Sequence, residues 1–101
     1  MKVVRFSNLG SNIREAMQGA RWMLLDQDEI QNALSALMFA ELDGVLVAVD
    51  HRKSTPDNGL WRRAVHLLLV SEREDAEEIR QTSGITKVIS SDDTALEDYL
   101  W

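Results

Sequence analysis

In the stretch DGVLVAVDHRKSTPDNG (residues 43–59) an apolar run ends on Asp50, and a basic, turn-rich segment follows. A carboxylate at the carboxyl end of a buried strand can accept a phosphoryl group, help to hold a hard cation, or simply terminate the strand. Other apolar runs end in the same manner, on Ser7 and Asn8, on Asp26, on Ser71, and on Ser90 with Ser91. Hydroxyls and carboxylates gathered at such ends suit phosphate or metal chemistry, although turn formation alone selects the same residue types. In an open parallel sheet the ligand crevice lies beyond the carboxyl ends of the strands, at the switch point of the strand order. These are therefore the residues to follow.

Other chemistry finds little support. His51 and His66 share no helical spacing with a carboxylate, so no zinc set is read and no metal site is expected. Neither a dinucleotide fingerprint nor a P-loop occurs, and no cofactor is expected. Ser71 lacks the glycine-flanked context of a nucleophile elbow. His51, Arg52 and Lys53 read as solvated loop residues that could pair with an anion near Asp50.

The elements that position these ends follow from the pattern. KVVRF (2–6) is a first strand, and SNIREAMQGA (11–20) is a helix that Gly19 can close. RWMLLD (21–26) reads as a second strand. DQDEIQNALSALMFAEL (26–42) reads as one helix with acids in its first turn and Ile30, Ala33, Leu34, Leu37, Met38 and Leu42 on one apolar face. GVLVAVD (44–50) and VHLLLVS (65–71) are continuous apolar runs, the mark of strands covered on both faces of a parallel sheet. Between them GLWRRA has room for a single turn, so a third helix is truncated. EREDAEEIRQTSG (72–84) is a helix closed by Gly84, TKVIS (86–90) a last strand, and SDDTALEDYLW the start of a terminal helix. Such alternation predicts an α/β domain: a small three-layer open sheet, mostly parallel, of five strands, with helices on both faces.

Composition bounds the rest. One hundred and one residues with 45% hydrophobic content suit one domain with one core. Asp and Glu number 17 against 11 Lys and Arg, a net charge of −6 that repels phosphate backbones and anionic lipid. The chain has no cysteine, which is compatible with a reducing compartment. Neither a signal peptide nor a membrane-length apolar run is visible, so a cytoplasmic location is expected.

The spacing of the strand ends resembles the receiver domain of two-component response regulators, and the likeness covers nearly the whole chain. In that flavodoxin-like family an acidic pair follows the first strand, the phosphoacceptor aspartate ends the third, a Ser or Thr ends the fourth, and a lysine ends the fifth. Asp50 stands at the phosphoacceptor position, PDNG (56–59) resembles the loop that follows, and Ser71 matches the hydroxyl. The chain departs from the pattern where Phe6, Ser7 and Asn8 replace the acidic pair, leaving neutral oxygens for a Mg²⁺ ion that usually needs carboxylate charge. At the lysine position stand Ser90 and Ser91, with Lys87 nearby. The resemblance thus implies a degenerate receiver, a single domain over residues 1–101 belonging to a longer regulator, for example a transcriptional one. It would dock to itself, to a kinase or to an output domain, with a homodimer among the expected assemblies. In receivers the partner face is built from the fourth helix, fifth strand and fifth helix. Here that region is acidic and ends in Tyr99 and Trp101, which are interface candidates, although Trp101 could equally close the core. Two alternatives remain. One is a competent receiver phosphorylated on Asp50. The other is an anti-sigma-antagonist-like (STAS) module with Ser54 as its switch, for which a mixed sheet would speak.

Overall fold

The computed structural model describes residues 1–52 and 60–101. Five strands, β1 (Val3–Arg5), β2 (Trp22–Asp26), β3 (Leu46–Asp50), β4 (Leu67–Val70) and β5 (Lys87–Ser90), form one sheet in which every neighbouring pair is parallel. The expected open α/β sheet of five strands is present, and it is entirely parallel. The strands lie in the order β1-β2-β3-β4-β5. A flavodoxin-type order is 2-1-3-4-5, with its switch point between β1 and β3. The present order has no reversal, so the switch-point crevice expected from the sequence is not formed.

Sequential order also decides where the helices go. Right-handed crossovers that always step the same way across a sheet deliver every connection to the same face. Accordingly Met17, beyond α1 (Ile13–Ala16), Ala36, Leu37 and Ala40 of α2 (Leu34–Asp43), and Ala76 and Ile79 of α3 (Arg73–Ser83) share one buried cluster. The sheet contributes Met23, Leu25, Val47, Val49, Leu68 and Val70 to that cluster, the alternate positions of β2, β3 and β4. Trp61 joins them from the 3-10 turn Leu60–Ala64, the truncated third connection.

The opposite face of the sheet carries Trp22, Leu24, Ala48, Leu67 and Leu69, all at most 1% exposed. It is covered by the chain after β5, through Leu96 and the half-buried Tyr99 and Leu100. The third layer is therefore one extended segment with a 3-10 turn at Leu96–Tyr99, in place of the terminal α-helix read from the sequence. Burying a leucine such as Leu96 contributes roughly 1.5–3 kcal/mol, enough to matter for so short a segment.

Two further elements differ from expectation. The helix read over 11–20 is reduced to four residues, although Gly19 does turn the chain with φ 79°. The long helix read over 26–42 breaks in two, a 3-10 segment Gln27–Asn32 and then α2. The acids at its start act locally: the Asp26 N–H donates to the Glu29 carboxylate at 2.8 Å, ending β2 and opening the turn. Ile30, Ala33 and Leu37 of the expected face are buried, but beyond the break the core-facing side of α2 is shifted. Ala36, Leu37 and Ala40 are buried, while Leu34, Met38 and Leu42 are 55%, 52% and 67% exposed. Gly44, at φ 72°, takes the left-handed conformation that closes α2 and aims the chain into β3. No helix among the described residues is long and apolar enough to cross a membrane.

Candidate functional site at the carboxyl edge

β2 and β3 end in register, so Asp26 and Asp50 are direct neighbours at the carboxyl edge. β1 lies on the far side of β2, with its 3-10 turn Phe6–Asn8 carrying Ser7 and Asn8, both exposed. Those two residues are thus separated from Asp50 by a whole strand and do not join it. Asp26, at the end of β2, is the acid that adjoins Asp50.

Asp50 is held by Arg52, two residues along the chain. Arg52 donates from Nε to Oδ1 at 3.0 Å and from Nη2 to Oδ2 at 2.9 Å, the two-pronged geometry that gives guanidinium–carboxylate pairs their strength. The Arg52 backbone N–H also donates to Oδ1 at 3.1 Å, an Asx turn that explains why the strand stops on an aspartate. Arg52 therefore is not the solvated loop residue expected from the sequence. Both side chains are less than one-fifth exposed. The hydrogen bonds to Asp50 hold the Arg52 guanidinium above its ordinary pKa.

The same guanidinium reaches the chain after β5. Nη1 donates to the Thr94 carbonyl at 2.8 Å and, at the 3.5 Å limit, to the Ser91 carbonyl. Arg52 thus ties the end of β3 to the segment that covers the second face of the sheet. Ser71, just beyond β4, lines an open groove of about 490 Å³ with Arg52, Asp92, Asp93, Thr94 and Ala95. Ser90 ends β5 opposite Val70, and the following Ser91 donates its N–H to the Val70 carbonyl at 2.9 Å and its hydroxyl to Thr94 Oγ1 at 3.0 Å. Hydrogen bonds from Ser91 and then Thr94 lower the Tyr99 phenol below its ordinary range. The edge accordingly gathers Asp26, Asp50, Arg52, Ser71 and Ser91 but leaves Ser7 and Asn8 outside.

Tyr99 and Trp101 belong to the covering segment. Trp101 meets Trp22 edge to face with ring centres 4.7 Å apart, and its main-chain oxygen accepts from Trp22 Nε1 at 3.0 Å and from Arg21 Nε at 2.7 Å. Arg5 and Glu97 form an ion pair across the same face. Trp101 remains 42% exposed.

The two histidines have different roles. His66 Nδ1 accepts the Val47 N–H at 3.1 Å, bridging β3 to the start of β4, and burial lowers its pKa. His51 is buried at 3% exposure beside Trp61, ring centres 6.0 Å apart, and neither ring nitrogen has a hydrogen-bond partner among the described residues. Among the described residues no group of three or more His, Asp or Glu is arranged to hold a metal ion. Lys53, Ser54, Pro56 and the PDNG motif lie outside the described residues.

Sequence reasoning missed the Asp26–Asp50 neighbourhood and the Arg52 bridge. The first needed the strand order, which no single residue announces. The second left a trace, because an aspartate two residues before a turn N–H is the signature of an Asx turn. Comparison with protein-family models, with curated proteins and with solved structures returns no match for this chain.

Proposed function

We propose that this chain is a regulatory domain, receiver-like in its succession of strands but not in their order across the sheet, that acts through protein contacts in the cytoplasm and is not phosphorylated on Asp50 in a Mg²⁺-dependent reaction. The observation that carries this reading is the Arg52 fork across both oxygens of Asp50. Phosphoryl transfer to a carboxylate needs an oxygen presented to the incoming phosphorus and positive charge to neutralise the phosphoryl oxygens. Here the Arg52 guanidinium is engaged by the carboxylate itself. The residues at the acidic-pair position, Ser7 and Asn8, stand a strand away and carry no charge. Asp50 then serves as an anchor, joining β3 through Arg52 to the segment over the sheet.

The acidic surface, with net charge −6, favours a protein partner over nucleic acid. The alternative of a competent receiver requires Arg52 to leave Asp50 before any transfer. An anti-sigma-antagonist-like module gains no support from an all-parallel sheet, and its Ser54 lies outside the described residues. The test is an NMR titration with beryllofluoride and Mg²⁺, with the Asp50→Asn variant alongside. The expected result is no change in either protein at the residues around Asp50. A Mg²⁺-dependent shift that vanishes in Asp50→Asn would establish the competent receiver.

A further inference from the structure

Helix α2 is apolar on two sides, and only one faces the core. Ala36, Leu37 and Ala40 pack against the sheet, while Leu34, Met38 and Leu42, spaced i, i+4, i+8, project from the other side and are each more than half exposed. Three large side chains at that spacing form a continuous ridge, the kind that seats into the groove between side chains of a second helix crossing at about −50°. Scattered surface leucines are ordinary; a ridge spanning two turns of one helix marks an interaction surface.

We propose that this ridge docks an amphipathic helix of a partner protein, apolar on the docking side and carrying Lys or Arg beside it. The inference deepens the protein-contact reading above by naming the surface and the chemistry of its partner. Charge on the page selects that partner. Exposed Glu41 flanks the ridge one position from Leu42. Asp43 on the same helix is already matched by Arg14, at 2.8 Å, whereas Glu41 has no ion pair among the described residues. A second copy of the chain fits poorly. It would bring Glu41 toward another acidic surface of net charge −6.

The experiment is a selection from a displayed library of helix-forming peptides with randomised apolar and charged positions, using the whole chain as bait. Enriched peptides are then mapped by chemical shift on the protein and measured against the Leu34→Ser/Met38→Ser/Leu42→Ser variant. The expected outcome is enrichment of peptides with an i, i+4 apolar ridge and flanking Lys or Arg. They should map to α2 and weaken at least about ten-fold with the triple variant. Glu41→Lys leaves the ridge intact and should weaken the same peptides several-fold, which keeps the test valid if the triple variant folds poorly. Failure to enrich, binders mapping away from α2, acidic or uncharged winners, or a ridge-dependent homodimer in sedimentation equilibrium would each overturn the proposal. The beryllofluoride titration reads Asp50 and this selection reads α2, so the two readings fail separately.

Discussion

Replacing Arg52 with methionine keeps the aliphatic stem and removes the guanidinium. The change deletes the fork to Asp50 at 3.0 and 2.9 Å and the 2.8 Å bond to the Thr94 carbonyl. Each hydrogen bond to or from a charged group contributes roughly 1.5–3 kcal/mol where it is buried and less where water competes. Both side chains are under one-fifth exposed, which places the pair between a surface salt bridge at up to ~1 kcal/mol and a fully buried one at ~3–5 kcal/mol when broken. The expected loss is about 2–3 kcal/mol, or a fall in Tm on the order of 10 °C or more for a domain of this size. Urea denaturation of Arg52→Met, Asp50→Asn and the double variant gives the cycle. The expected Asp50–Arg52 coupling is about 1–2 kcal/mol. Because Arg52 also bonds the 91–94 chain, amide exchange at Leu96, Tyr99 and Leu100 should quicken in Arg52→Met more than in Asp50→Asn. A coupling below about 0.3 kcal/mol, with unchanged exchange after β5, would refute the anchoring role.

Other outcomes follow from the same structure. His66 has its pKa lowered by burial, and its Nδ1 accepts the Val47 N–H only while unprotonated. A base whose folded pKa is depressed leaves the unfolded chain binding the extra proton. Its contribution is therefore present above the unfolded value near ~6.5 and is lost as pH falls through and below it. His66→Asn retains an acceptor without titrating there, so the stability loss between pH 7 and pH 5, measured by urea denaturation, should be smaller than in the parent chain. His51 buries two ring nitrogens with no partner among the described residues, so His51→Phe should be neutral or stabilising by up to about 1 kcal/mol in thermal denaturation. Trp101→Ala removes the edge-to-face contact with Trp22 and should cost about 1 kcal/mol or more while changing Trp22 fluorescence. Gly44→Ala, at φ 72°, should destabilise by about 1 kcal/mol although nothing lies within 4 Å of the added methyl, because the strain is in the backbone.

Much of the architecture was legible because burial on both faces leaves an unmistakable pattern. The runs over 44–50 and 65–71 could only be interior strands, and Gly84 closed α3 after a sequence with Ala76 and Ile79 at helical spacing. Less legible was anything decided by neighbours. Residues 26–42 carry apolar side chains at helical spacing on more than one side, so the spacing alone favoured Leu34, Met38 and Leu42 for the core. In the fold Leu37 of the expected face is buried together with Ala36 and Ala40, and the other three face outward. Residues 91–101 have helix-opening acids, yet the exposed apolar face of β2–β4 is better covered by a segment that stays extended before and after its 3-10 turn. At the site, the end-of-strand position of Asp50 was readable. Its neighbours were not, because strand order determines which ends meet.

That order is also what separates this edge from a receiver's. Interstrand NOEs in the isotope-labelled chain measure it directly. The structure predicts contacts from Val4 to Met23 and from Met23 to Val47, with β2 lying between β1 and β3 and Asp26 beside Asp50. Contacts from Val4 to Val47, with β2 displaced to the edge, would restore a flavodoxin-type order, bring Ser7 and Asn8 beside Asp50, and contradict the site described above.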